Sequence, residues 1–181
     1  MANKSGKQET EILKETLRDV AQKMMLAART APKARGNENL VLMVVYEDDI
    51  KEISKKMEEI SKREDVAFFK RDALNIKKSP VLLLLGTKIN PIELKRCGYC
   101  GFKNCKEKKE YKNTPCAFNS IDLGIATGAA VAIAADNRAD NRVMFSVGYA
   151  VKELKFMGAD VYNIVGIPLS GTSKSPFFDR T

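Results

Sequence analysis

From Glu11 onward, apolar residues return every three or four positions, at Leu13, Leu17, Val20, Ala21, Met24, Met25 and Ala28. That period predicts a helix with one face turned to a core. Pro32 and Gly36 break the pattern, so "ARTAPKARGNEN" reads as a loop. Leu40 to Tyr46, "LVLMVVY", is short, apolar and β-branched, which predicts a buried strand. The charged stretch "EDDIKEISKKMEEISKRE" carries Ile50, Ile53, Met57 and Ile60 on one face and predicts an amphipathic helix, with Asp48 or Asp49 as its cap. Val66 to Lys70 predicts a second strand. "SPVLLLLGT" predicts a third, buried on both faces and starting just after Pro80.

Farther along, "AFNSIDLGIATGAAVAIAADNRADN" is rich in Ala and Gly. It predicts a helix packed closely on its neighbours, capped by Asn119 or Ser120. Asp140 is read as the N-cap of a final helix from about Asn141 to Phe156, stopped by Gly158. Val161 to Ile167 makes the last strand. The elements alternate loosely, so the expected class is α+β (α/β-like), a sheet flanked by helices. Residues 1–181 read as a single domain, with a flexible tail at 1–9 and a cysteine-rich insertion at 97–116.

Composition adds a setting. A chain of 181 residues is long enough for one sizeable core without disulfides. "MANKSGKQET" has no apolar core of the signal-peptide kind. No uninterrupted apolar stretch approaches the ~20 residues of a membrane span. The expectation is a soluble, cytoplasmic protein with reduced thiols and no membrane association. The formal charge of +8 concentrates locally around the cysteines and suits acidic partners. On most soluble proteins, however, such lysines only solvate the surface.

All four cysteines stand within "CGYCGFKNCKEKKEYKNTPC", from Cys97 to Cys116, in a chain without histidine. Four thiols in one short loop of a cytosolic protein point to metal rather than to disulfides or a reactive thiol pair. Zinc would need all four, which its chemistry allows. Zinc ribbons, though, pair two Cys-x2-Cys knuckles, and here only Cys97 and Cys100 form one. Iron–sulfur cubanes tend to take three cysteines from a tight loop and a fourth from farther away. Cys97, Cys100 and Cys105 fit the loop, and Cys116 fits the remote ligand. A [4Fe–4S] cluster is therefore the leading reading and a four-cysteine zinc site the alternative. Gly98 and Gly101 let the backbone curl toward sulfur. Lys95, Arg96, Lys103, Lys106, Lys108, Lys109 and Lys112 outnumber Glu107 and Glu110, and cations beside an anionic cluster would stabilise its reduced form.

"CGYCGFKNC" with Cys116 resembles the iron–sulfur domain of carbon monoxide dehydrogenase/acetyl-CoA synthase subunits, which carries Cys-x2-Cys-Gly-x3-Cys and a distant fourth cysteine. Pro115 precedes the last cysteine rather than following it, unlike the bacterial ferredoxin run. Four segments together resemble a family of uncharacterised prokaryotic proteins containing a ferredoxin domain, similar to nitroreductases with an iron–sulfur insertion. They are "AARTAPKARGNENLVLMVV", the cysteine loop, "SIDLGIATGAAVAIAA" and "VGIPLSGTSKSPFFDR".

That resemblance implies a nitroreductase-like fold, a homodimer with its cofactor between subunits, and FMN as a second cofactor. Ala31 to Arg35 align with the start of the nitroreductase segment that lines the flavin site, but its Gln-Pro-Trp end is missing. No counterpart of the phosphate-binding Arg-Arg-Ser-x-Arg stands before Thr10. The flavin contacts so implied are Arg29, Lys33, Arg35, Gly36 and Asn37 in the first loop, with Lys174 and Arg180 near the end of the chain.

Three functions compete. One is a redox protein that transfers electrons through the cluster, coupled to FMN or to an acidic electron-transfer protein. The second is a zinc-stabilised module that binds nucleic acid, against which stand few aromatics in the basic loop and no nucleic-acid-binding signature. The third gives the cluster a structural role at a subunit interface. No histidine is present to act as acid or base and no Ser/His/Asp set appears, so no catalytic residue is singled out.

Overall fold

Leu82, Leu83, Leu84 and Leu85 decide the architecture, because none of them is exposed. They occupy a strand, Leu82–Lys88, along which successive side chains leave opposite faces. Leu82 and Leu84 join one apolar cluster, and Leu83 and Leu85 join another. Both faces of the sheet must therefore be covered by helices. Burying each leucine contributes about 1.5–3 kcal/mol.

The computed structural model describes residues 6–178. In chain order the elements are α1 (Glu9–Thr30), β1 (Leu40–Val45), α2 (Glu47–Glu64), α3 (Ala67–Ile76), β2 (Leu82–Lys88), α4 (Cys105–Lys109), α5 (Ala117–Asp136), β3 (Asp140–Asn141), α6 (Phe145–Glu153) and β4 (Val161–Ser170). The sheet has the order β1-β2-β4-β3, and every pairing is antiparallel. One cluster gathers Ile50, Ile53, Met57 and Ile60 of α2, Ala73 and Ile76 of α3, and Val147 and Val151 of α6. The other gathers Leu17, Val20 and Met24 of α1 with Leu123, Ala126, Ala130 and Ala134 of α5. The result is three layers with the sheet in the middle, the α+β arrangement expected.

Gly148 lets α6 lie directly on β4: a Cβ there would sit inside the Ile164 carbonyl. α5 packs on α1 through alanines, as its composition predicts. By length and composition Ala117–Asp136 is also apolar enough to cross a membrane, yet only 33% of its apolar window is buried here. Ile121, Gly124, Ile125, Gly128 and Ala132 face outward.

Several local expectations need correction. Val66 to Lys70 is not a strand; it opens α3, where Phe69, Ala73 and Ile76 recur at helical spacing and bury against α2. Tertiary packing overrides the β-propensity of "VAFFK". Neither Asp48 nor Asp49 caps α2. Tyr46 holds the cap position, and both aspartates lie in the first turn, where they face the positive end of the helix. Likewise Cys116, not Asn119 or Ser120, occupies the cap position of α5. Asp140 and Asn141 pair with Ser170 and Leu169 as a short strand, so the last helix begins only at Phe145. Its end is set by Lys155 in the left-handed region, with Phe156 N donating to Val151 O, before Gly158 is reached. The last strand runs on to Ser170. Glu9 already belongs to α1, and Lys7 pairs with Glu15.

Candidate metal centre

The chain leaves β2 at Lys88 and returns to regular structure at α5, and the segment between carries the cysteines. Asn90 and Asn119 pin its two ends together. Asn119 Nδ2 donates to Asn90 O at 3.0 Å, and Asn90 N donates to Asn119 Oδ1 at 3.1 Å. Asn90 Nδ2 also reaches Asn39 Oδ1 at 3.0 Å, tying the loop to the approach to β1. Tyr162 Oη donates to Asn113 Oδ1 at 2.6 Å and Asn163 Nδ2 to Ser120 Oγ at 2.9 Å, which fastens the return limb to β4.

Inside this frame Gly98 (φ 69°) and Gly101 (φ 85°) make the turn between the first cysteines, with Gly101 N donating to Gly98 O. Cys105 opens α4. Asn104 Oδ1 accepts from Glu107 N at 3.0 Å, while Glu107 Oε2 accepts from Lys103 N at 2.7 Å, a reciprocal cap that fixes the rotation of this short helix. Cys97, Cys100, Cys105 and Cys116 all line one enclosed cavity of about 40 Å³, together with Leu94 and Phe102. All four are free thiols. Among the described residues, no three Cys, Asp or Glu side chains close on a single point. What the donor set offers is four thiols lining one small cavity, the ligand type that zinc or an iron–sulfur cluster takes. Cys116 is buried and the other three are half-buried.

The outer surface of the loop is cationic and aromatic. Lys95, Arg96, Lys103, Lys106, Lys109 and Lys112 are exposed. Tyr99, 72% exposed, stacks on Phe118, and Phe102 lies against Tyr111. Lys109 hydrogen-bonds Glu93, which raises the Lys109 pKa and holds the Glu93 carboxyl below its ordinary value.

The residues expected at a flavin fall into two groups at opposite ends of α1, a helix of 22 residues. At 1.5 Å per residue α1 is about 33 Å long. In the first loop, Arg29 Nη1 pairs with Glu38 at 2.6 Å and reaches Leu40 O at 3.2 Å. Lys33 Nζ folds back onto Arg29 O and Ala31 O. Arg35, at φ 55°, donates to Ile92 O. Gly36 (φ 65°) and the half-buried Asn37 complete a short 3₁₀ turn and its end. Ala34 N donates to Asp122 Oδ1 at 3.0 Å, and neither Asp122 Oδ2 nor Asn39 Nδ2, both buried, has a partner among the described residues.

Lys174 lies at the other end, beside a cavity of about 170 Å³ shared with Lys78, Ser170 and Thr172. This abuts a larger apolar cavity of about 390 Å³ formed by the start of α1 (Leu13, Lys14, Leu17), the α3–β2 turn and Gly171. Ser79 Oγ at that turn is buried without a partner among the described residues. Arg180 lies outside the described residues. Phe177, 1% exposed, and Arg142 Nη1, which donates to Phe177 O at 2.7 Å, anchor the segment that follows Lys174.

The asparagine frame, the α3–β2 turn and Asp122 were not singled out in the sequence. A polar Asn119 and Asp122 within an Ala/Gly-rich helix were the available signal.

Residues 112–180 match a family described as uncharacterised proteins containing a ferredoxin domain; the match includes Cys116 but begins after the other three cysteines. An uncharacterised protein of Archaeoglobus fulgidus is 40% identical over 164 residues, covering 87% of this chain and 88% of its own length. Among solved structures, a nitroreductase from Lactococcus lactis in complex with nicotinic acid aligns over 94% of this chain and 82% of its own. Its TM-score is 0.61 and its identity 11%. A nitroreductase with bound FMN from Desulfitobacterium hafniense aligns over 87% and 80%, with TM-score 0.58 and 15% identity. A nitroreductase family protein from Clostridium novyi reaches TM-score 0.58 at 16% identity over 84% and 73%.

Proposed function

Since the chain belongs to the family of uncharacterised proteins that contain a ferredoxin domain, we propose that it is a redox protein on a nitroreductase-like scaffold, holding a [4Fe–4S] cluster on Cys97, Cys100, Cys105 and Cys116. One observation carries the reading. Four thiols from a glycine turn, the first residue of α4 and the cap position of α5 line a single enclosed cavity. When bound, such a cluster supplies one-electron transfer at a potential set by charge, hydrogen bonds and solvent around its sulfurs.

This chain's own residues do the rest. Asn90 and Asn119 close the neck of the loop, the Asn104–Glu107 cap orients Cys105, and Leu94 and Phe102 limit water. Lys95, Arg96, Lys103, Lys106 and Lys112 present positive charge around Tyr99, a surface suited to an acidic electron-transfer protein.

FMN is the second cofactor of the proposal. Two of the fold neighbours contain FMN, and the cavity at the start of α1 has room for a phosphate-bearing group beside Lys78 and beside Lys14, which pairs with Glu47. Within one protomer that cavity reaches along α1 only as far as Leu17, and the first loop begins at the far end of the helix. A homodimer would bring one subunit's loop to the other's cavity. The outward face of α5, with Ile121 and Ile125 flanked by Gly124, Gly128 and Ala132, is the surface we assign to that pairing.

Anaerobic purification with iron, sulfide, zinc and flavin quantified tests the proposal. About four irons and four sulfides per chain, lost in Cys116→Ser, are expected for a cubane on four thiolates. One zinc and no sulfide would replace the redox reading with the zinc-stabilised, nucleic-acid-binding one, for which the exposed Tyr99 among lysines is the favouring feature.

A further inference from the structure

Among the cations of the cysteine loop, one is set apart. Lys108 is only 2% exposed and heads the largest fully buried side chains, whereas the lysines at 95, 103, 106, 109 and 112 are exposed. None of the ion pairs among the described residues includes it; the neighbouring pair, Lys109 with Glu93, lies on the surface. An ammonium removed from water costs several kcal/mol unless a nearby negative charge offsets it.

Its place on α4 indicates where the charge acts. Lys108 follows Cys105 by three residues, so their Cβ atoms are neighbours, about 5–6 Å apart on one face. Long side chains on a helix lean back over the preceding turn, here toward Cys105, behind the residues that line the cavity itself. The reciprocal Asn104–Glu107 cap fixes that orientation.

We propose that Lys108 is the internal counter-ion of the cluster, a fixed positive charge that holds the anionic cluster in place and makes it easier to reduce. This rests on the cluster reading above. On reduction by an external one-electron donor the cluster gains one negative charge, and no bond forms or breaks. The Lys108 ammonium, unchanged, favours that more negative state. Because it is buried, salt screens it far less than it screens the surface lysines.

The test compares wild type with Lys108→Met, Lys108→Gln and Lys108→Arg, and with Lys106→Gln as an exposed control. Iron and sulfide are assayed first. The midpoint potential is then measured by dithionite titration at low and high salt. In the neutral variants reduction is expected to become about tenfold less favourable, about 59 mV for a one-electron couple, at both salt levels. Lys108→Arg should stay near wild type, and any shift in Lys106→Gln should fade with salt. Neutral variants that fold without the cluster but no longer retain iron also support the proposal. Loaded neutral variants with the wild-type potential overturn it. So do neutral variants that cannot fold even in the cluster-free state, since the partner of Lys108 would then be the polypeptide itself. Wild type purified without iron and sulfide is a different failure: it removes the cluster reading, and this proposal with it.

Discussion

Asp72 is a carboxylate 4% exposed between two helices. Arg71 reaches its Oδ1 at 2.9 Å, and Ser146 Oγ donates to its Oδ2 at 2.6 Å. Ser146→Ala leaves that oxygen buried without its donor, a loss of about 1–3 kcal/mol, read as a lower urea midpoint with an unchanged slope. At the surface, Arg63 grips Glu153 through two hydrogen bonds and, through them, lowers the Glu153 pKa. A carboxyl lowered in the folded state contributes stability above its unfolded pKa, and loses it as pH falls through the folded value. Arg63→Gln should therefore flatten the acid limb of stability against pH while changing stability near neutrality only slightly, as exposed pairs do. Neither contact is visible in the sequence, because Asp72 and Ser146, like Arg63 and Glu153, are neighbours only in space. That the four cysteines belong together was legible, because their spacing places them in one loop without knowledge of contacts, and they line one cavity.

At the scale of elements, strong periodicity carried α1, β1, α2, β2 and α5 from sequence to structure nearly intact. Weak signals did not survive. "VAFFK" reads as a strand from its residue types, yet α2 offers a groove that only a helix can fill. Asp140 has the chemistry of a cap, but β4 extends far enough to offer it a ladder position. Helix α5 shows both sides of this. Its alanines forecast close packing, and α1 and the sheet take up one side. The other side, with Ile121 and Ile125 at 43% and 42% exposure, is left open. If that face pairs two subunits, Ile125→Lys should shift sedimentation from dimer toward monomer while the far-ultraviolet circular dichroism stays unchanged. A protein that sediments as a monomer before mutation would count against the pairing. Ala126→Lys, one position on and fully buried, should instead prevent folding.

For the molecule as a whole, neither apolar cluster draws on residues between the end of β2 and Leu123. Within that segment Ile92 and Cys116 are buried, but neither belongs to either cluster. Removing metal by acid and chelation should accordingly leave the helical signal and the main unfolding transition near their original values. Trypsin cleavage at the lysines between 103 and 112 should become much faster. A single melt shifted far downward on metal removal would show the loop to be part of the core.

The sequence by itself determined the gathering of all four cysteines in one loop, the two-sided burial of the leucine strand and the amphipathic faces, because residue type, spacing and period are local properties. Tertiary structure alone decided three things. It fixed the antiparallel order of the strands. It put the flavin candidates of the first loop and Lys174 toward opposite ends of α1. It also buried one lysine among many exposed ones. Each of these depends on which distant segments meet, and that is settled by burying both faces of β2 at once.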